Sequence, residues 1–188
     1  MSQFFVISAP SGTGKTTIAR KILEKISGCR RSVSATTRSP RPGEQSGIDY
    51  HFVDEAAFRG MVERGELFEW EEVHGALYGT PRKNLREAEE SRIDLLLDID
   101  TRGALSVKQA FPQSCLIFLK PPSWEVLEER LKGRKTEAGE SLKRRLEAAR
   151  REMAEQNKFD YVIINDELEK TVAEVKGVME RERHKSRQ

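Results

Sequence analysis

This chain of 188 residues has few cysteines, almost no net charge and no long apolar run. Each absence removes a class of protein. Cys29 and Cys115 lie far apart and no metal-ligand spacing accompanies them, so neither a zinc site nor a disulfide framework is expected. Both read as reduced, partly buried thiols. The 33 Lys and Arg against 31 Asp and Glu leave a formal charge of +2, which does not argue for a nucleic-acid partner. Any polyanion site must then be a local cluster of Arg and Lys. No apolar stretch approaches the ~20 residues that cross a bilayer. No basic segment followed by a long apolar stretch opens the chain, so no secretory signal is read. Repeats and low-complexity linkers are also missing. The expectation is a soluble, cytoplasmic protein without membrane contact.

What is present is charge and rhythm. Charged residues make up 34% of the chain and hydrophobic ones 37%, against roughly 25% and 45–50% in an average domain, the latter also counting Gly. The apolar residues fall in clear runs, which points to a large solvated surface rather than disorder. Phe4–Ser8, Ile93–Ile99, Cys115–Leu119 and Tyr161–Ile164 are continuous enough to be strands covered on both faces. Helical stripes lie between or after them: Ile18, Ile22, Leu23 and Ile26; Ala104 and Leu105; Val126, Leu127, Arg130 and Leu131; Leu168, Val172, Val175 and Met179. Strands alternating with helices predict an α/β fold with a central parallel sheet and right-handed crossovers. Two stretches break the rhythm. The Arg-, Gly-, Pro- and aromatic-rich part from Arg30 to Asn84 reads as an insertion with short strands of its own, such as Phe68–Val73. The part from Ser123 to about Gln156 reads as helical and heavily charged, with a polar turn between Gly133 and Gly139. The basic tail from Arg181 reads as a frayed, solvated end.

Three local patterns carry chemistry. The first is Ala9-Pro10-Ser11-Gly12-Thr13-Gly14-Lys15-Thr16, between the run Phe4–Ser8 and a helical pattern that begins about Thr17. A strand, a glycine-containing loop and a helix start in that order form a phosphate-binding P-loop, in which backbone N–H groups and a helix N-terminus face one anion. Lys15 adds a mobile positive charge for the β- and γ-phosphates, and the Thr16 hydroxyl is placed for Mg²⁺. Ala9 stands where the general pattern has its first glycine. The second is Leu95-Leu96-Leu97-Asp98-Ile99-Asp100, an apolar strand ending in carboxylates that share one side of an extended chain. Asp98 is read near the metal or its waters and Asp100 near the acceptor, with helix capping by Asp100 as the alternative. The third lies in the insertion. Arg38 and Arg41 suit bidentate contact with a phosphate, and Tyr50 and Tyr78 offer phenolic donors. Glu69 suits an N–H pair such as the N1–H and 2-amino edge of guanine, and a hydroxyl from Ser34 or Thr80 suits the O6 edge.

Together these residues resemble the guanylate kinase family of P-loop nucleoside monophosphate kinases. The likeness runs over essentially the whole chain. It rests on the loop above, on Ser34 with Thr36-Thr37-Arg38, and on Arg41-Pro42-Gly43-Glu44. It continues through Gly47 with Asp49-Tyr50 and Phe52, Glu69-Trp70, Tyr78-Gly79-Thr80, Leu97-Asp98-Ile99-Asp100 and Val162-Ile163-Ile164-Asn165-Asp166. In this family Ala9 is an ordinary occupant. The resemblance implies a three-layer P-loop fold with a core of about 1–32, 85–122 and 157–188, a GMP-binding region of about 33–84 and a lid of about 123–156. It implies transfer of the γ-phosphoryl group of Mg-ATP to GMP, and to dGMP, in purine nucleotide metabolism and GMP recycling. Lys15, Arg38, Arg134 and Arg145 would be catalytic. Residues 9–17, from Ala9 to Thr17, would bind ATP together with Arg130, Arg134, Asn165 and Asp166. Ser34, Arg38, Arg41, Glu44, Tyr50, Glu69, Tyr78, Thr80 and Asp100 would bind GMP, and Thr16 and Asp98 would serve the Mg²⁺. Lys135 stands where the family often has Gly. A kinase for another phosphorylated acceptor, such as a ribose bisphosphate, is disfavoured by Glu69, Tyr78 and Thr80. A non-catalytic scaffold domain is disfavoured by Lys15 and the lid arginines.

Overall fold

A computed structural model describes residues 2–73, 75–133 and 140–186, with the side chains of Glu140 and Ser141 set aside. In chain order the elements are β1 (Phe4–Ser8), α1 (Lys15–Lys25), β2 (Cys29–Arg31), β3 (Ala35–Thr36), β4 (His51–Phe52), α2 (Glu55–Glu63), β5 (Leu67–Val73), β6 (Ala76–Pro81) and α3 (Arg82–Ser91). They continue with β7 (Asp94–Asp98), α4 (Thr101–Ala110), β8 (Cys115–Lys120), α5 (Trp124–Lys132), α6 (Glu140–Ala154), β9 (Tyr161–Ile164) and α7 (Leu168–Ser186).

Five strands form a parallel sheet in the order β2-β7-β1-β8-β9. Its three central strands are β7, β1 and β8. Every residue of β1 and β7 is buried, and so are the first five of β8. Side chains alternate between the two faces of a strand. Phe5, Ile7, Leu96 and Ile117 therefore meet Ile18 and Ile22 of α1 and Val172, Val175 and Met179 of α7 on one face. Phe4, Val6, Leu95, Leu97 and Phe118 meet Leu85 and Ala88 of α3 and Ala104 and Val107 of α4 on the other. Continuous apolar runs are what two covered faces require, and they give the three layers expected.

The edge strand β2, Cys-Arg-Arg, had no apolar run to announce it. Two further expectations are corrected. Leu168 sits at the exposed start of α7 (39% exposed), outside the apolar stripe it was grouped with. The basic tail is not frayed through Ser186, because α7 continues to that residue. Arg183 donates through Nε to Asp94 Oδ2 at 2.5 Å, both side chains being largely buried. Asp94 at the start of β7 needs a cation, and the end of α7 supplies it.

The insertion builds a second sheet, β4-β3-β6-β5, with β3 parallel to β4 and antiparallel to β6, and β5 antiparallel to β6. Phe58 of α2, Leu67, Leu77 and Ala35 make its core. A Cβ on Gly79 would stand 2.8 Å from Leu67 Cδ1 and 3.1 Å from the Glu69 carbonyl oxygen, so glycine is required there by space. The partly buried Phe68 packs on the face of the main sheet that carries α4, with its ring 5.8 Å from that of Phe111. That contact fixes β5 beside α4 and carries Glu69 toward the carboxyl ends of β1 and β7.

Candidate phosphate and base site

The loop after β1 turns on two glycines. Gly12 and Gly14 hold φ near +91° and +93°, a region costly for any residue with a Cβ. Thr13 N–H donates to the Pro10 carbonyl at 3.1 Å, and Ile18 N–H to the Gly14 carbonyl at 3.1 Å, which starts α1. No acidic residue lies in the first turn of that helix, so its N-terminal field is left for an anion. Ala9 has ordinary negative φ and is buried in the main core, 4% exposed, which explains why a methyl is tolerated in place of the first glycine. Asn165, at the end of β9, donates through Nδ2 to the Thr13 carbonyl and clamps the loop from behind. Arg130 of α5 reaches the Asn165 carbonyl at 3.5 Å. Lys15 donates to the Ile99 carbonyl at 2.8 Å, parking its charge across the mouth of the loop.

A cavity of about 450 Å³ opens from this loop to the inserted sheet. The structure brings Ala9, Pro10, Ser11, Gly12, Gly14, Lys15, Thr16 and Thr17 to one end of it and Ser34, Arg38, Arg41, Glu44, Tyr50, Glu69 and Tyr78 to the other. Asp98, Asp100 and Arg145 line it between them. Thr80 joins through its bond to Glu69. Thr13 is buried within the loop, Asn165 and Arg130 adjoin it through the bonds above, and Asp166 is exposed. Arg134 and Lys135 lie outside the described residues.

At the inserted end, Arg38 is held in a fork by Glu44, with Nη1 and Nη2 each 2.9 Å from a carboxylate oxygen. Those bonds keep the Glu44 carboxyl below its usual range. Glu44 also accepts from the Arg41 backbone N–H at 2.7 Å, so it orients the arginine pair. Arg38 Nε donates to Tyr78 Oη at 3.2 Å, which leaves the phenolic proton of Tyr78 free for a ligand. The Arg38 guanidinium also lies 5.4 Å from the Tyr50 ring centre. Burial pushes the Tyr50 phenol up to about 12, so it stays a donor at neutral pH.

Glu69 accepts from the Thr80 hydroxyl at 2.5 Å. Burial first, then Asp100 and Glu71, push its carboxyl up to about 7 against the pull of Thr80. Asp98 and Asp100 do not lie on one extended strand. β7 ends at Asp98, and Asp100 is the N-cap of α4, accepting from the Gly103 N–H at 2.7 Å. The capping alternative therefore describes this bond, while the side chain still borders the cavity. Both Asp98 oxygens are engaged by Arg31 of β2, at 3.1 Å each. A second carboxylate enters unannounced: Glu152 of α6 borders the cavity near Lys15 and the Ser11 N–H. Burial lifts it to about 7 despite both, and its Oε2 finds no hydrogen-bond partner among the described residues. Arg31 and Glu152 were missed because each acts through a contact between distant segments.

Sheet order, loop and cleft together define a P-loop phosphate-binding protein with a second, polar pocket facing the loop. The comparisons narrow this. The sequence profile of guanylate kinase matches residues 1–182. The guanylate kinase of Dechloromonas aromatica is 48% identical over 175 residues, covering 93% of this chain and 87% of that one. That of Syntrophotalea carbinolica is 49% identical over 175 residues, covering 93% and 83%. The crystal structure of guanylate kinase from Anaplasma phagocytophilum superposes with a TM-score of 0.81 at 35% identity, covering 96% of this chain and 86% of that one. The chain belongs to the guanylate kinase family.

Proposed function

We propose that this chain is an ATP:GMP phosphotransferase, a nucleoside monophosphate kinase that moves the γ-phosphoryl group of ATP onto the phosphate of GMP. The observation that carries the reading is one cavity with a P-loop at one end and a paired arginine fork and a buried carboxylate at the other. Phosphoryl transfer needs alignment and charge neutralisation more than covalent chemistry. The loop N–H groups and the α1 N-terminus hold the donor phosphates. Lys15 leaves the Ile99 carbonyl to meet the transferring group, where its charge is worth most in a water-poor cleft. Arg145 approaches from the lid side. Arg38, pre-set by Glu44, holds the acceptor phosphate with Arg41, Tyr50 and Tyr78. One phosphate oxygen of the acceptor attacks in line, so no phospho-enzyme is needed. Glu69 accepts from guanine N1–H and the 2-amino group, and Thr80 and Ser34 address the remaining edge.

The residues present fit a Mg²⁺ carried in on the ATP phosphates. Such an ion takes one or two protein oxygens and keeps phosphate and water for the rest, and no group of three or more metal-ligating His, Cys, Asp or Glu occurs among the described residues. Thr16 would hold it. Asp98, with both oxygens on Arg31, would face it through water. The ion supplies neutralisation of the β- and γ-phosphate charge.

Use of dGMP belongs to the same proposal. No helix among the described residues is long and apolar enough to cross a membrane. A cytoplasmic place in guanine nucleotide recycling belongs to this reading. The test is ADP release from Mg-ATP with GMP, dGMP, AMP and a ribose bisphosphate offered singly. GMP should be preferred over AMP by at least about 10³-fold in kcat/KM, because a wrong base leaves Glu69 unpaired. Equal use of AMP and GMP would sink the reading.

A further inference from the structure

Gly103 is the third residue of α4 and is buried. It has no positive φ, so its backbone does not ask for glycine. The reason lies in space. A Cβ built there would stand 2.8 Å from Glu69 Oε2, closer than real contacts allow, and at a tight 3.1 Å from Glu69 Cδ and 3.2 Å from Asp100 Oδ1. The other Glu69 oxygen is anchored by Thr80 at 2.5 Å. The carboxylate is thus seated between a hydroxyl on β6 and the bare α-carbon of a helix turn. A methyl group at this position would make the carboxylate end of Glu69 shift, which alters its bond to Thr80 and its position at the cavity where an acceptor base would lie.

We propose that Gly103 is a specificity-determining positioning residue, whose missing side chain sets the position of the Glu69 carboxylate and hence the recognition of the acceptor base. This rests on the guanine-reading role of Glu69. Nothing in the helix itself favours glycine. Alanine is in general the better helix former, so helix propensity does not select glycine in this first turn. Asp100 adds to the same arrangement, because its side chain caps the helix through the Gly103 N–H and so sits beside Glu69. Two carboxylates and a bare α-carbon thus lie together at one wall of the cavity.

The experiment is Gly103→Ala, with Glu69→Ala and the double variant, assayed for phosphorylation of GMP and for thermal unfolding. Gly103→Ala should raise KM for GMP about tenfold while kcat and KM for ATP stay within about twofold, since a shift of a few tenths of an ångström disturbs two hydrogen bonds and nothing at the P-loop. Its Tm should fall by no more than about 2 °C, since the shift is confined to the carboxylate end of one side chain. In the Glu69→Ala background the same substitution should cost nothing further, because no carboxylate remains to displace. A KM for GMP within twofold of the parent, a fall in Tm of several degrees, or a full additional loss in the double variant overturns the inference. If Glu69→Ala impairs GMP use and Gly103→Ala does not, only this inference fails. If Glu69→Ala leaves GMP use intact, the guanine reading fails with it.

Discussion

Glu69→Gln should separate stability from recognition. Burial lifts this carboxyl from an ordinary 4.5 to about 7. At about 1.4 kcal/mol per pH unit, ionising it in the cleft costs on the order of 3 kcal/mol. An acid whose folded pKa lies above its unfolded one stabilises the fold only while it is protonated. Its contribution is whole below about 4.5, is lost as pH rises to about 7, and changes no further above that. At pH 8 the glutamine variant should therefore be the more stable protein, by up to about 3 kcal/mol in urea unfolding, and the gap should close toward pH 5. Recognition should move the other way. The ionised carboxylate is the form that accepts two N–H groups from guanine, and a hydrogen bond to a charged group is worth about 1.5–3 kcal/mol. Glutamine should thus lower kcat/KM for GMP by about 10²-fold and leave KM for ATP unchanged.

The pH profile is the sharper assay. With a carboxyl near 7, about a tenth is ionised at pH 6 and about nine-tenths at pH 8, so kcat/KM for GMP should rise roughly tenfold across that range. The GMP phosphate also titrates near 6, and Glu152 is likewise lifted to about 7. The ratio of parent to Glu69→Gln cancels both and should still rise with pH. A ratio that stays flat from pH 6 to 8, with the variant no more stable at pH 8, would refute the buried, base-reading carboxylate.

Lys15→Ala should lower kcat by about 10³-fold or more in the ADP-release assay, because a charge aimed at the transferring group is lost; near-normal turnover would contradict the donor assignment. Arg31→Ala should cost about 3 kcal/mol or more in urea unfolding, since it strands Asp98, whose side chain is 3% exposed, without its cation. Lysine at position 31 should recover only part of that loss, having no fork for two oxygens. Asn165→Ala removes the bond to the Thr13 carbonyl; it should raise KM for ATP several-fold and cost about 1 kcal/mol, with KM for GMP unmoved.

How far this site is legible in sequence follows from the range of each interaction. The P-loop is local: strand, two glycines with positive φ, Lys15 and the first turn of α1 are consecutive, so order along the chain already gives order in space. The central strands are legible for a related reason, since a strand buried on both faces must be a continuous apolar run. Arg-rich β2 fails that test because its side chains serve distant partners, Arg31 pairing with Asp98 across 67 positions. Arg38 and Glu44, six apart, were each expected to bind GMP. What the chain order hides is that one holds the other, so that Glu44 orients Arg38 at the border of the cavity. Glu69 shows the limit most clearly. Its residue type and its place in the insertion suggest a base reader. The environment that makes it a perturbed carboxyl is tertiary: burial and Asp100 push it up, Thr80 on the neighbouring strand holds one oxygen, and Gly103, on a helix more than thirty residues away, leaves room for the other. A glycine in a helix pattern reads, in sequence, as a small defect of propensity. Only packing β5 against α4 turns that defect into room for a carboxylate, which is why base selectivity should be lost through Gly103 without loss of fold.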